Sequence, residues 1–210
     1  MHTTIKNLLD IESKINNKAK IIAVSKTFPI DKILPLIEHG HTDFGENKVQ
    51  EATEKWTEIK KINSQIKLHM IGKLQTNKVK FAVQIFDYIH SVDSEKLAKK
   101  IADESKKLNK KIKIFIQVNI GDEEQKSGIN KNELDQLVFY SKEIGLNVIG
   151  LMCIPPANID TKGYFEEMNK LNKALGFTEL SMGMSSDFDI AVKHSSTYVR
   201  VGSSIFGKRF

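Results

Sequence analysis

The sequence predicts an α/β fold, a single (β/α)8 barrel in which one domain spans residues 1–210. Short apolar runs rich in β-branched residues alternate with longer amphipathic stretches, a pattern typical of repeated βα units around a parallel sheet. About eight such runs follow one another along 210 residues. With 40% hydrophobic residues the chain can bury one sizeable core, but it is short for two full domains.

The eight predicted strands are short apolar runs rich in β-branched residues. They cover residues 20–25, 41–45, 67–71, 88–92, 112–119, 147–153, 179–184 and 198–202. Because the number of strands alone does not prove that a sheet closes, a doubly wound open sheet remains the alternative.

The predicted helices carry apolar residues at helical spacing. An extra helix at residues 4–15 precedes the first strand, and the others cover 30–39, 48–60, 94–108, 131–144, 162–175 and 188–193. Asp31, Ser94 and Asn130 stand near the starts of three of them and are plausible caps.

The charge pattern argues against a nucleic-acid partner. The net charge is +6, but the lysines are scattered along the predicted helices and are not interleaved with aromatic residues. A solvated, lysine-rich surface is the favoured interpretation. Of 32 basic residues only Arg200 and Arg209 are arginine, so Arg200 marks a position where a planar, permanently charged group is useful.

Two further observations concern the compartment. No apolar run approaches the roughly 20 residues of a membrane span, and the N-terminus lacks the layout of a signal peptide. We therefore expect a cytoplasmic protein without a membrane partner. The single cysteine, Cys153, cannot form an internal disulfide and has no neighbours at metal-ligand spacing, so we expect it to be a small buried residue and expect no metal site.

The fold class indicates where chemistry should lie. In (β/α)8 barrels the active face is formed by the loops after the strands, and phosphate groups commonly bind after strands seven and eight. Lys26 directly follows the first predicted strand. Desolvation and nearby positive charge would favour its neutral amine, which can form a Schiff base with an aldehyde. The alternative is a solvated lysine at a strand end.

Glycine and serine residues lie at and just after the ends of the last two predicted strands. Residues 182–186 (MGMSS) and 200–204 (RVGSS) offer hydroxyl groups and exposed N–H groups, so together they predict a phosphate cradle that includes Ser185, Gly202 and Ser203. Asn47 follows the second strand. His69, inside the third strand, reads more simply as a satisfied core histidine, and Met152 as core packing or an apolar wall against a flat ring.

Seven segments, in order, resemble the YggS/PROSC family of proteins that bind pyridoxal 5'-phosphate (PLP) and maintain its homeostasis. They are 23–27 (AVSKT), 44–47 with 49–52 (FGEN and VQEA), 69–78 (HMIGKLQTNK), 126–128 (KSG), 150–156 (GLMCIPP), 181–187 (SMGMSSD) and 196–207 (STYVRVGSSIFG). The resemblance covers nearly the whole chain and implies a barrel of the alanine racemase N-terminal-domain type.

The resemblance also implies roles for single residues. Lys26 matches the lysine that forms a covalent aldimine with PLP, and Arg200 matches the arginine that faces the pyridine nitrogen. An arginine there keeps that nitrogen unprotonated and weakens the ring as an electron sink. The remaining matches are phosphate-loop positions and residues that line the cofactor pocket: Ser185, Gly202 and Ser203 for the first, and Asn47, His69 and Met152 for the second.

Three functions follow from these expectations. The first is a PLP carrier or buffer without clear turnover, monomeric, with apo PLP-dependent enzymes as recipients; it rests on the expectation that no segment past the last loop builds the second domain of a racemase. The second is a small PLP-dependent racemase or decarboxylase that uses Lys26 as base and His69 as partner. The third is a nucleic-acid binder that uses the basic surface.

Overall fold

The computed structural model describes residues 1–123 and 125–207. Glu124 and residues 208–210 lie outside the described part of the chain. The end of the predicted domain and Arg209 therefore fall outside it as well.

Eight parallel strands form a closed barrel in the order β1 to β8. They are β1 (Lys20–Val24), β2 (Asp43–Glu46), β3 (Lys67–Met70), β4 (Tyr88–Val92), β5 (Lys113–Val118), β6 (Asn147–Cys153), β7 (Glu179–Met184) and β8 (Tyr198–Val201). Closure is set by β1 pairing with β8, from Lys20 opposite Tyr198 to Ala23 opposite Val201. This pairing confirms the barrel and excludes the open sheet.

Helices follow the strands around the outside of the barrel. They are α1 (Thr3–Ile15), α2 (Ile30–Glu38), α3 (Val49–Ile62), α4 (Val79–Ile85), α5 (Glu95–Lys107), α6 (Leu134–Glu143), α7 (Lys162–Ala174), α8 (Phe188–Lys193) and α9 (Ser203–Phe206). The extra helix before the first strand is confirmed as α1. Strands β4, β6 and β7 and helix α8 have the predicted bounds, and most other predicted elements differ by one or two residues at an end.

Helix α4 was missing from the prediction for a local reason. It has only seven residues, its sequence VKFAVQI reads equally well as a strand, and no side chain of the described residues caps its start. A 3-10 turn at Thr76–Lys78 leads into it. Its buried residues pack against the barrel, so tertiary contacts rather than local propensity stabilise this helix.

The predicted caps are partly confirmed. Ser94 accepts a hydrogen bond from the N–H of Leu97 at the start of α5, and Asn130 caps a 3-10 turn at Lys131–Glu133 that leads into α6. Asp31 was wrong as the cap of α2, because the helix begins at Ile30 and Asp31 lies inside its first turn.

Two apolar clusters stabilise the fold. The larger one lies between the strands and the surrounding helices. The smaller one consists of five residues that come from five different strands and pack together inside the barrel: Ile22, Tyr88, Phe115, Met152 and Tyr198. The interior of the barrel is therefore packed with side chains at this level.

Within the described ranges, no helix combines the length and apolar character needed to cross a bilayer.

Candidate functional site

Lys26 lies two residues past the end of β1, where the chain leaves the barrel wall, and it is partly buried. The next residue, Thr27, has a φ of 67°, a left-handed conformation that is uncommon for a side chain of this shape. A conformation of this kind persists only when surrounding contacts enforce it. Contacts on both sides of Lys26 enforce the conformation of Thr27.

A buried carboxylate fixes the residue before Lys26. The Oε1 atom of Glu46 accepts hydrogen bonds from Ser25 Oγ at 2.7 Å, from Lys55 Nζ at 2.9 Å and from Trp56 Nε1 at 2.9 Å. Glu46 is fully buried, and Lys55 also donates to the Ser25 carbonyl at 2.9 Å. Because three donors converge on one charged oxygen, the backbone at Ser25 has little freedom to move.

A second carboxylate fixes the residue after Lys26. The N–H of Thr27 donates to Glu51 on α3, and Lys55 donates to the same carboxylate at 3.0 Å. Partial burial opposes ionisation of Glu51, but the Thr27 hydrogen bond and the Lys55 ammonium outweigh it and lower its pKa. Helix α3 therefore clamps the Lys26 segment from both sides.

Arg200 is the buried cation of the site. Its side chain extends from β8. There Arg200 pairs in register with Ile22 of β1, which precedes Lys26 by four residues. Nη1 donates to Ser181 Oγ at 2.7 Å and Nη2 donates to the Cys153 carbonyl at 2.8 Å. Burial lowers the pKa of Arg200, yet a guanidinium remains charged at any physiological pH.

The two final loops meet at a serine hydroxyl. Ser185 Oγ accepts hydrogen bonds from the backbone N–H groups of Gly202 at 3.3 Å and Ser204 at 3.4 Å. A Cβ atom on Gly202 would lie 3.3 Å from Val24, so this loop passes directly beside the end of β1. Backbone donors of the β8 loop thus lie next to the segment that carries Lys26. Ser203 is exposed at the first position of α9.

The loop after β3 borders the same face. Asn47, partly buried after β2, lies against Gly72, where an added Cβ would come within 2.4 Å of the Asn47 carbonyl oxygen. Only glycine allows this close approach of two backbones. The position of the Asn47 side chain therefore depends on Gly72.

His69 and Met152 lie deeper in the barrel than the other predicted site residues. His69 has no exposed surface, and its ring nitrogens lie 3.0 Å from His90 Nε2 and 3.0 Å from Asp43 Oδ1. Met152 is fully buried in the inner apolar cluster. Their burial fits the interpretation of both as core residues. That either of them lines a cofactor pocket stays a prediction.

The structure thus brings the ends of β1, β2, β7 and β8 together, and with them most of the predicted residues. Sequence reasoning missed several of their partners: Ser25, Glu51, Lys55, His90 and Asp43. A usable signal for His90 was its place in β4, two residues after Tyr88, since alternate residues of a strand share a face. Glu51 and Lys55 on α3, which contact Thr27 and Ser25, carried no comparable signal.

The chemistry of this face follows from its three parts. A lysine amine lies at the end of β1, a buried guanidinium lies below it on β8, and backbone N–H donors with serine hydroxyl groups lie beside both. An amine adds to aldehydes, a guanidinium donates to a ring nitrogen, and clustered N–H donors bind an anion. The fold is a (β/α)8 barrel, and one of its faces carries a lysine, an arginine and backbone N–H donors.

The chain belongs to the family described as alanine racemase, N-terminal domain, whose model matches residues 3–209. Among its relatives is the pyridoxal phosphate homeostasis protein of Escherichia coli, 33% identical over 229 residues that cover 100% of this chain and 98% of the relative. The protein with the same name from Aquifex aeolicus is 37% identical over 203 residues, which cover 92% of this chain and 88% of the relative.

Solved structures show the same architecture. PipY of Synechococcus elongatus, in a structure described as having PLP bound, matches with a TM-score of 0.87 and 34% identity over 97% of this chain and 100% of PipY. An alanine racemase of Clostridium difficile, 16% identical, matches with a TM-score of 0.77 over 99% of this chain and 57% of the racemase. The second likeness concerns the fold alone.

Proposed function

We propose that this protein binds PLP and acts in intracellular PLP homeostasis, carrying or buffering the cofactor on Lys26. The observation that carries the proposal is that the adjacent strands β7, β8 and β1 place three kinds of group at one face of the barrel: Lys26 after β1, Arg200 on β8, and the donors of the β7 and β8 loops. PLP offers a matching aldehyde, ring nitrogen and phosphate. The relatives named for PLP homeostasis, and PipY with PLP bound, support the proposal.

The residues have distinct roles in this proposal. The Lys26 amine condenses with the aldehyde carbon, so that a C=N bond forms and one water molecule leaves. Glu46 and Glu51 hold the backbone on both sides of that amine. Arg200 donates a hydrogen bond to the ring nitrogen, which keeps the nitrogen unprotonated and makes the ring a poor electron sink.

The phosphate group fits the two final loops. Ser185, Gly202 and Ser203 would surround it, and the N–H groups of Gly202 and Ser204 that now meet Ser185 Oγ could donate to phosphate oxygens instead. Clustered backbone N–H groups bind a phosphate through hydrogen bonds to its charged oxygens. Asn47 would border the ring from the β2 side.

The decisive experiment is reduction and mapping of the loaded protein. Purified protein incubated with PLP should gain a visible absorbance band, and borohydride should fix the cofactor on the peptide that contains Lys26. Lys26→Ala should lose this label, whereas Lys80→Ala, a change of an exposed lysine on α4, should keep it. Wild-type protein that takes up no PLP, or a label on another lysine, would contradict the proposal.

A second experiment addresses the phosphate loops. Ser185→Ala removes the hydroxyl that bridges the loops, and we expect PLP to bind roughly tenfold more weakly, the usual effect of losing one hydrogen bond to a charged group. Ser64→Ala is the matched control, because Ser64 is an exposed serine that lies between α3 and β3, before the amino-terminal end of a strand. Equal PLP affinity of the two variants in an absorbance titration would remove Ser185 from the site.

We further propose that the chain works as one domain in the cytoplasm, as a monomer that passes PLP to apo enzymes without turnover of its own. The names of the relatives support a role in homeostasis rather than catalysis. Steady conversion of an amino acid by wild-type protein, lost in Lys26→Ala, would instead favour a racemase or decarboxylase. The mass of the PLP-loaded protein, measured by sedimentation, tests whether it is a monomer.

A further inference from the structure

A continuous chain of hydrogen bonds runs through the barrel below Arg200. Nη1 of Arg200 lies 2.7 Å from Ser181 Oγ, and Ser181 Oγ lies 2.9 Å from His90 Nδ1. His90 Nε2 lies 3.0 Å from His69 Nδ1, and His69 Nε2 lies 3.0 Å from Asp43 Oδ1. Four contacts at hydrogen-bond distance thus connect β8, β7, β4, β3 and β2.

The chain reaches the opposite face of the barrel from Lys26. Asp43 is the first residue of β2, and 17% of its side chain is exposed. Arg200, Ser181, His90 and His69 are all buried, between 0% and 4% exposed. Solvent at the amino-terminal face is therefore connected to the buried guanidinium by polar contacts alone.

The chemistry of its two ends fixes the direction of every donor. A guanidinium can only donate, so Ser181 Oγ accepts from Arg200 and its single proton goes to His90 Nδ1. His90 then carries its proton on Nε2 and donates to His69 Nδ1. By the same step His69 carries its proton on Nε2 and donates to the Asp43 carboxylate, which can only accept.

The reverse direction fails at Asp43. If His69 donated from Nδ1 to His90, its neutral ring would present an unprotonated Nε2 to a carboxylate oxygen 3.0 Å away. Two acceptors at that distance repel each other unless His69 becomes a cation or Asp43 takes up a proton. The Ser181 hydroxyl would also lose its acceptor in this chain.

The surroundings favour neutral histidines and an ionised aspartate. Burial lowers the pKa of His69 despite the opposing effect of Asp43, and burial together with His69 and Arg200 lowers the pKa of His90 much further. Partial burial opposes ionisation of Asp43, but its contact with His69 outweighs this and lowers its pKa. Each bond therefore has one donor and one acceptor at neutral pH.

We propose that Ser181, His90, His69 and Asp43 are positioning residues, a relay that fixes the orientation of the Arg200 guanidinium toward the cofactor ring. The Cys153 carbonyl holds Nη2, and the relay holds Nη1 through Ser181. The remaining N–H groups of Arg200 are then directed away from both partners. This inference rests on the proposed function, because it assigns the ring nitrogen of PLP as the group that Arg200 meets.

The relay itself can be tested without PLP. Long-range nitrogen–proton NMR spectra of the PLP-free protein at neutral pH report which nitrogen of each imidazole carries a proton, and His69→Gln and His90→Gln identify the two signals. We expect both histidines to be neutral with the proton on Nε2. A proton on Nδ1 of either ring, or a cationic ring, would overturn the relay.

The effect on the cofactor needs a second variant and a matched control. Ser181→Ala removes the acceptor of Arg200 Nη1. We expect a reagent that captures the aldehyde of PLP to remove the cofactor at about tenfold lower concentration than from wild-type protein. We also expect the absorbance band of bound PLP to move. Ser141→Ala is the control, because Ser141 is equally buried on α6 and its hydroxyl makes no hydrogen bond among the described residues.

The outcomes separate this inference from the proposed function. Uptake of PLP by wild-type protein, with identical spectra for Ser181→Ala and Ser141→Ala, would refute the positioning role of the relay and leave the proposed function standing. Absence of PLP uptake by wild-type protein would refute the proposed function, and the NMR result would still decide whether the relay exists.

Discussion

The hydroxyl of Ser25 donates to Glu46 Oε1 at 2.7 Å, and this contact joins the residue before Lys26 to a carboxylate that is fully buried on β2. The same oxygen accepts from Lys55 and Trp56. Three donors on one buried oxygen make Glu46 the main anchor of the Lys26 segment. The position of the amine thus depends on residues that do not face the ligand.

Replacing Glu46 should therefore affect both stability and PLP uptake. Glu46→Gln removes the charge that three donors share, and we expect the free energy of unfolding to fall by about 2–4 kcal/mol. Urea denaturation measures the change in the free energy of unfolding. The absorbance of bound PLP measures how well the Lys26 segment still takes up the cofactor. Glu58→Gln, a change in an exposed ion pair with Lys61, should cost no more than about 0.5 kcal/mol. Similar losses in both variants would disprove the anchor.

Two glycines should respond in opposite directions to the same substitution. Gly72→Ala places a Cβ 2.4 Å from the Asn47 carbonyl oxygen, so we expect a loss of roughly 1–3 kcal/mol and weaker PLP binding. Gly163 lies in α7, and no atom of the residues in the described ranges lies within 4 Å of an added Cβ, so Gly163→Ala should stabilise the protein by about 0.5–1 kcal/mol. Thermal unfolding of both variants tests this contrast.

Acid should destabilise the protein through its buried histidines. Burial lowers the folded-state pKa of His69 and His90 below the ordinary value of 6.5. Above pH 6.5 both are neutral in the folded and unfolded states, so they add no pH dependence. Below it the unfolded chain binds protons that the folded chain excludes, and stability falls until the pH passes the folded-state value.

The size of this acid effect can be measured by substitution. Each such histidine contributes at most about 1.4 kcal/mol per pH unit, so His90→Gln should give a shallower fall in the free energy of unfolding below pH 6.5. The exposed residue His39 serves as the control, and His39→Gln should keep the wild-type slope. Equal slopes in the two variants would show that His90 is not a neutral buried group.

Cys153 should be chemically inert in the folded protein. It is fully buried, and desolvation raises the pKa of its thiol to about 12. Since only the thiolate reacts, a disulfide reagent at pH 8 should label the thiol only in denaturant. Rapid labelling of native protein would mean that the interior near Arg200 opens readily, because the Cys153 carbonyl holds that guanidinium.

The fold was predictable because its signals are local. Eight apolar runs, their order and the helices between them depend on residues that are neighbours along the chain. The same holds for Lys26, Ser185 and Gly202, which lie within two residues of the ends of strands whose carboxyl ends share one face in any parallel barrel. Helix α4 escaped prediction because its seven residues lack a cap and read equally well as a strand.

The sequence by itself determined the number and order of the βα units and placed the amine, the arginine and the glycine-serine loops at strand ends. Only the tertiary structure decided that β1 pairs with β8, that Glu46 meets Ser25, and that His90 joins His69 to Ser181. Local spacing fixes which face of a strand a side chain occupies. The register between strands, which sets what that side chain touches, arises from packing between residues far apart in sequence.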